Sequence, residues 1–206
     1  MFKVDKVANK LGNNISKELN FDGDKRDVIV YGIFAILQIT LSIVITSVFG
    51  LFLGVLLESL IVSFATAILR KYSGGAHANT PGKCIVIGTI VCVLPTFLIT
   101  KLIYDFNIYI VSLIGIIIFI GTYYLIYMFA PVDSVAKPIR NQDKRKKLKK
   151  GSILILSVYL VIVICLILSY KVTLNNKYLI YAICMYIGIA WQAFTLTNAS
   201  HFILKK

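Results

Sequence analysis

The chain has 206 residues, 58% of them hydrophobic, with a mean hydropathy of +0.84 and a formal charge of +13. That apolar content excludes a soluble domain for most of the length. The surplus positive charge gathers in a few short segments between apolar runs, a pattern of membrane topology rather than of nucleic-acid binding.

Residues 1–26 are polar, yet Val4, Val7, Ala8, Leu11, Ile15 and Leu19 recur at three-to-four spacing, with Lys6, Asn9, Lys10, Asn13 and Lys17 on other faces. This periodicity predicts an amphipathic helix lying in the membrane interface. Asp22-Gly23-Asp24 then marks a turn. Six runs of about twenty mainly apolar residues follow, each long enough to cross a hydrocarbon core of about 30 Å. They extend from about Val28 to Ser47, Leu51 to Leu69, Cys84 to Ile103, Ile108 to Phe129, Ser152 to Tyr170 and Tyr178 to Thr197. The expected fold class is all-α: one membrane-embedded domain over 1–206, with six transmembrane helices within 28–198 and an interfacial helix within 1–26. The first apolar run starts too late for a signal peptide, and none is expected.

The links differ in character. Val48-Phe49-Gly50 is expected to join the first two spans as a tight hairpin, and Tyr104-Asp105-Phe106-Asn107 to join the third and fourth. Thr173-Leu174-Asn175-Asn176 is expected to join the last two. The longest link, Ala130 to Gly151, holds Pro131, Pro138 and the basic run Lys144-Arg145-Lys146-Lys147-Leu148-Lys149-Lys150. Tyr123, Tyr124, Tyr127 and Phe129 fit an inner aromatic belt, and Tyr104, Phe106, Tyr109, Tyr170 and Tyr178 an outer one. With both termini inside, every basic residue of the 22 except Lys101, Lys171 and Lys177 falls on the cytoplasmic side. This is the positive-inside pattern, and it favours an even number of spans.

Polar residues inside apolar runs are expensive and merit a role. Glu58 reads as the middle of the second span, at the depth of Gln38, where a protonated carboxyl bonded to that amide is the favoured reading. Gln192 and Asn198 are expected to line a polar interior, and His201 to be interfacial. Cys92, Cys165 and Cys184 read as small buried side chains. Cys84 and Cys92, eight residues apart, would stand about 12 Å apart along a helix, too far for a disulfide.

One polar stretch carries chemistry: Gly74-Gly75-Ala76-His77-Ala78-Asn79-Thr80-Pro81-Gly82-Lys83-Cys84. Gly74 and Gly75 permit a sharp turn. Thr80 can cap a helix whose first residue is Pro81. Cys84 then falls in the first turn, where the helix dipole with Arg70, Lys71 and Lys83 favours a thiolate. His77 is the base within reach of such a thiol. Spacing alone leaves catalysis and a purely structural loop equally open. One histidine and one cysteine do not fill a zinc site, so no metal and no cofactor is expected. Ser73, Asn79 and Asp133 are polar candidates for orienting His77, with none preferred. Arg70 serves equally as a carboxylate or loop contact and as an interfacial anchor. Lys71 and Lys83 read first as anchors. The 144–150 run reads as a topogenic loop on anionic inner-leaflet lipid, with attraction of an acidic substrate overlaid. A transporter or peptide-export subunit using Glu58, Gln38 and Gln192 is the competing class.

Arg70, Gly74-Gly75, His77, Cys84 and the later Ala130-Pro131-Val132-Asp133 with Lys137-Pro138-Ile139 resemble the accessory gene regulator B (AgrB) family over nearly the whole chain. That family comprises membrane cysteine endopeptidases of bacterial quorum sensing. The resemblance implies that His77 acts as base for Cys84. The thiolate would cleave the acidic tail from an AgrD-type propeptide, leaving an acyl thioester. A Cys or Ser within the propeptide would then close a thiolactone or lactone ring. It also implies a bacterial cell membrane with the site facing the cytoplasm. The expected partners are the propeptide, anionic lipid and a second copy in a homodimer, with no nucleic acid.

Overall fold

The computed structural model describes residues 4–76, 78, 80–102, 107–132 and 141–204. His77, Asn79, the segment 103–106, Asp133, Lys137 and Pro138 lie outside the described residues, as do the side chain of His201 and the last two lysines. Among the described residues the architecture is all-helical. Its helices are α1 (Val4–Glu18), α2 (Gly23–Phe52), α3 (Leu56–Ser73), α4 (Pro81–Leu102), α5 (Ile108–Phe129), α6 (Gln142–Thr173), α7 (Lys177–Thr195) and α8 (Asn198–Leu204).

Five helices are long and apolar enough to cross a membrane: α2, α4, α5, α6 and α7. They make this a multi-pass membrane protein. The remaining expected span, Leu51 to Leu69, corresponds to α3, which has 18 residues and carries Glu58 near one end with Arg70 and Lys71 near the other. By length and composition α3 does not stand with the five. It is nevertheless central, with Ser59, Val62, Ala65, Leu69 and Ser73 all buried. Those positions repeat every three to four residues, one helical stripe.

That stripe packs mainly on α7, whose Ala182, Tyr186, Gly188, Ile189 and Ala193 are buried. Gly188 makes the approach possible. A Cβ there would stand 2.8 Å from both Ala65 Cβ and the Val62 carbonyl oxygen. Between helices in lipid, close packing of small residues is a principal source of association. Gly188→Val is therefore expected to lower stability by about 1–3 kcal/mol, the usual cost of overpacking. Thermal melting in detergent measures it; an unchanged midpoint would contradict this packing. Outward faces of α2, α4, α5 and α6 carry exposed apolar side chains such as Ile36, Ile90, Ile117 and Leu154, as lipid-facing surfaces do.

Several local expectations are corrected. The first link is not Val48-Phe49-Gly50: α2 continues through Phe52, and the turn is Leu53-Gly54-Val55, with Gly54 at φ +66°. Val55 N–H donates to the Gly50 carbonyl at 2.7 Å, closing that turn. Glu58 consequently sits in the first turn of α3 rather than mid-span. Gln38 lies about 20 Å from the same turn along α2, at 1.5 Å per residue, so the two do not share a depth. Asp22 is the N-cap of α2, accepting from Lys25 N–H at 3.2 Å, and Gly23 is already helical.

The basic run is not a loop. Lys144 to Lys150 form the opening turns of α6, capped by Asn141, whose Oδ1 accepts from Asp143 N–H at 2.8 Å. A helix of 32 residues is about 48 Å long, well beyond a 30 Å core, so its charged start extends out of the apolar layer. Cys165, expected to be buried, is exposed on α6, whereas Cys92 and Cys184 are buried and all four cysteines are free. Asn198 is exposed rather than lining an interior. In α1 the apolar residues divide. Val4 and Ala8 are buried with Gly12 and Ser16, while Val7, Leu11 and Ile15 are exposed. A Cβ on Gly12 would overlap Val30 of α2, so a stripe of small residues seats α1 there.

Candidate functional site

The end of the bundle where α3 finishes and α4 begins gathers the motif residues. Helix α3 stops because Gly74 takes φ +68° and Gly75 φ +136°, conformations costly for any residue with a Cβ. The chain then runs as a short strap, Gly74 to Ala76, held from three sides. From α3, Arg70 Nη2 donates to the Ala76 carbonyl. From the segment after α5, Val132 N–H donates to the Ser73 carbonyl at 2.9 Å, and Gly74 forms a parallel β-bridge with Val132. From α7, Ala76 N–H donates to the Thr195 carbonyl at 2.9 Å. Gln192 Nε2 donates to Ser73 Oγ at 2.9 Å and to the Gly74 carbonyl at 2.7 Å.

The two glycines are needed for approach as well as for φ. A Cβ on Gly74 would overlap the Val132 carbonyl oxygen, and one on Gly75 would stand 2.6 Å from Thr195 Oγ1. Their role in this geometry is to let the strap thread between α7 and the Pro131-Val132 segment. That segment is braced in turn by α6, where Arg145 Nη2 donates to the Pro131 carbonyl at 3.3 Å. Lys149 Nζ donates to the Tyr127 carbonyl at 2.5 Å and lies 4.5 Å from that ring's centroid. Two cations of the basic run therefore fasten the end of α5.

At the start of α4, Thr80 is the cap: its Oγ1 accepts from Lys83 N–H at 3.3 Å and its carbonyl from Cys84 N–H at 3.1 Å. Cys84 thus lies in the first turn, partly exposed, as the Thr80-Pro81 pair predicts. Arg70 grips the carbonyl of Ala76, which directly precedes His77 in sequence. Lys71 and Lys83 are exposed, with Lys71 Nζ 5.7 Å from the Tyr72 ring centroid.

Ser73 is buried and committed within the fold. It donates to the Leu69 carbonyl at 2.9 Å while accepting from Gln192. Its sequence-based candidacy as an orienting group for His77 is weakened accordingly. Asn79 and Asp133, the other two candidates, lie outside the described residues. Gln192 and Thr195 are the participants that motif reading passed over. Their signal in the sequence is an amide one turn before the end of an apolar helix. Among the described residues no three His, Cys, Asp or Glu side chains cluster as metal ligands. A groove of about 740 Å³ between α2 and α4 is lined by Phe49, Gly82, Val86, Thr89 and Val93, among others. Lys83 and Ile85, the neighbours of Cys84 in sequence, also line it, but Cys84 itself does not.

Loss of the Arg70 contact has a measurable consequence. Arg70→Met is expected to reduce processing of the substrate proposed below about tenfold or more. Arg70→Lys should recover only part, because an ammonium lacks the planar, several-donor fork of a guanidinium. Full activity in Arg70→Met at normal membrane levels would remove Arg70 from the site.

These features define a class, a multi-pass helical membrane protein with a thiol-bearing helix start set against a glycine strap at one end of the bundle. The accessory gene regulator B family model matches residues 5–196. An AgrB-like protein of Clostridium perfringens strain SM101 is 36% identical over 203 residues, 98% of this chain and 95% of that protein. The accessory gene regulator protein B of Staphylococcus intermedius is 27% identical over 196 residues, covering 95% of each. No solved structure matches. The chain belongs to the accessory gene regulator B family, and with it to the agr quorum-sensing system.

Proposed function

We propose that the protein is a membrane cysteine endopeptidase that removes the C-terminal tail of a small AgrD-type propeptide through an acyl thioester on Cys84. The observation that carries this reading is the helix start: Thr80 caps α4 so that Cys84 stands partly exposed in its first turn, at the end of the bundle where the Gly74–Ala76 strap leads in sequence to His77. In this reading His77 takes the thiol proton, and the thiolate adds to the scissile carbonyl. The imidazolium then protonates the departing amine of the tail, and the thioester remains. A Cys or Ser within the propeptide attacks that thioester, its proton passing to the imidazole. The ring closes and Cys84 is restored as a thiol. The tethered nucleophile competes with water through its high effective concentration.

The remaining elements fit one arrangement. The chain is a single domain over 1–206, with α3 as a sixth crossing surrounded by the other five. Both termini and the site face the cytoplasm of a bacterial cell membrane, because the basic residues collect at the end holding Cys84. The exposed Val7, Leu11 and Ile15 of α1 rest in the inner interface, the free cations of α6 meet anionic lipid or the acidic tail, and two copies form a homodimer. Gly74, Gly75, Lys71 and Lys83 shape and anchor the loop.

Trapping the intermediate tests this. A propeptide whose internal nucleophile is replaced by alanine should accumulate on Cys84 as an adduct with the mass of the propeptide minus its tail, released by hydroxylamine. Tail removal without any such adduct, or an adduct resistant to hydroxylamine, would overturn the thioester mechanism.

A further inference from the structure

Beyond Ile85 the groove between α2 and α4 is lined by Phe49 and Leu53 at the end of α2 and by Val86, Thr89, Ile90 and Val93 of α4. Phe49, Val86 and Ile90 are each about half exposed, so the groove opens sideways to lipid. Thr89 is the exception among these apolar side chains. It is 7% exposed, and its Oγ1 is buried with no hydrogen-bond partner among the described residues. It does not bond back to its own helix, as Thr96, Ser152 and Ser157 do. A buried hydroxyl left without a partner is unfavourable, and it points to a polar atom supplied from outside the fold.

Depth decides what can supply that atom. Lys83 lines one end of the groove and is exposed, so it marks the level of water and charged headgroups. Thr89 lies six residues further along α4, about 9 Å deeper, among apolar neighbours. A lipid acyl chain has no polar atom there. A peptide has a carbonyl at every residue, each with two lone pairs. Even a helical segment, whose backbone is satisfied internally within lipid, therefore keeps a free acceptor for the Thr89 hydroxyl. From Val86 to Leu94 the lining of α4 extends about 12 Å, a little over two helical turns.

We propose that this groove is the docking site for an apolar helical segment of the propeptide, in the part retained on Cys84 after the tail leaves, with Thr89 Oγ1 donating to one of its carbonyls. The proposal rests on the endopeptidase reading and adds a site outside the thiol's own surroundings. Charge fixes which part of the propeptide lies there. Carboxylates of an acidic tail are too costly to bury among apolar side chains, so they stay at the Lys83 end. Helix α4 carries the groove along its length and Cys84 at its start, so a segment held here raises the local concentration of the scissile bond near the thiol. Apolar contact alone gives little preference between helices in lipid; shape and the Thr89 bond supply the selectivity.

The test has two arms, both in membranes of known protein content. In the first, tail cleavage is followed against propeptide concentration. Thr89→Val keeps the shape and removes the hydroxyl. It should raise KM about threefold or more, the loss of one hydrogen bond, with kcat changed less than about twofold, and Thr89→Ser should restore it. Ile90→Trp, which fills the groove, should raise KM about tenfold, whereas Ile117→Trp on the lipid face of α5 should leave it unchanged. In the second arm, a photo-crosslinking residue at position 90 of the Cys84→Ala protein should capture the retained part of an added propeptide, and the same residue at position 117 should not. Capture needs no turnover, so it also covers the case in which a groove variant fails to accumulate. Unchanged KM in both Thr89→Val and Ile90→Trp, or capture of lipid alone at position 90, would overturn the proposal. If Cys84→Ala cleaves normally while the propeptide is captured, the endopeptidase reading is wrong and the docking site stands; if Cys84→Ala is inactive and no propeptide is captured, only the docking site is wrong.

Discussion

Membranes carrying Cys84→Ala, or His77→Ala, are expected to leave a co-expressed propeptide with its tail attached. The loss should be about a thousandfold or more, because covalent catalysis is removed with the thiol, and no other free cysteine can replace it. Cys92 and Cys184 are buried in the helical core and Cys165 lies on an exposed face of α6. The double variant should be no worse than either single one, since residues that act as a unit are non-additive. Cys84→Ser should also fail, a hydroxyl being a much poorer nucleophile than a thiol at neutral pH. Electrophoretic separation of tailed and untailed propeptide reads the result. Normal tail removal by either alanine variant, at matched membrane levels, would end the enzymatic reading.

Gly74→Ala carries the second large effect, and its origin is different. At φ +68° an L-residue is strained by about 1–3 kcal/mol, and the new Cβ would meet the backbone carbonyl of Val132. That neighbour cannot yield easily, because Val132 is bonded to Ser73 and Pro131 is tethered by Arg145. The strap must shift instead, and with it the residue that follows. A displacement of about 1 Å at a catalytic group can cost about a hundredfold in rate. Gly74→Ala should therefore lose cleavage by about that factor with a modest fall in melting temperature. Gly82→Ala, where a Cβ meets nothing within 4 Å, should be nearly silent. Equal behaviour of the two glycine variants would show that the strap does not control the site.

Placing Cys84 needed only local rules. A threonine followed by proline starts a helix for reasons contained in three residues, and the capping bond from Thr80 follows from them. The five apolar spans were equally legible, since crossing a hydrocarbon core is a matter of length and composition. Helix limits were less so. Val48-Phe49-Gly50 reads as a link because glycine punctuates apolar runs, yet Gly50 remains helical: a Cβ there would lie 3.1 Å from Leu56 Cα, and the hairpin needs that closeness. The basic run reads as a loop because charge ends an apolar pattern. A helix continues through it once Asn141 caps its start and Arg145 and Lys149 find carbonyls on α5 and beyond.

By itself the sequence determined the membrane setting, the gathering of basic residues into a few segments, the thiol at a helix start and the glycine pair. Each depends on composition or on neighbours within one turn. The tertiary structure decided why those glycines are required and what they lie against: the Ser73–Gly74 backbone meets Val132, and Gln192 and Thr195 grip the same strap from α7. Such contacts join residues about 60 to 120 positions apart, and no periodicity encodes which buried amide will face which loop. Packing of α3 against α7 through Ala65 and Gly188 sets that register, so the strap's anchors belong to the fold rather than to the motif.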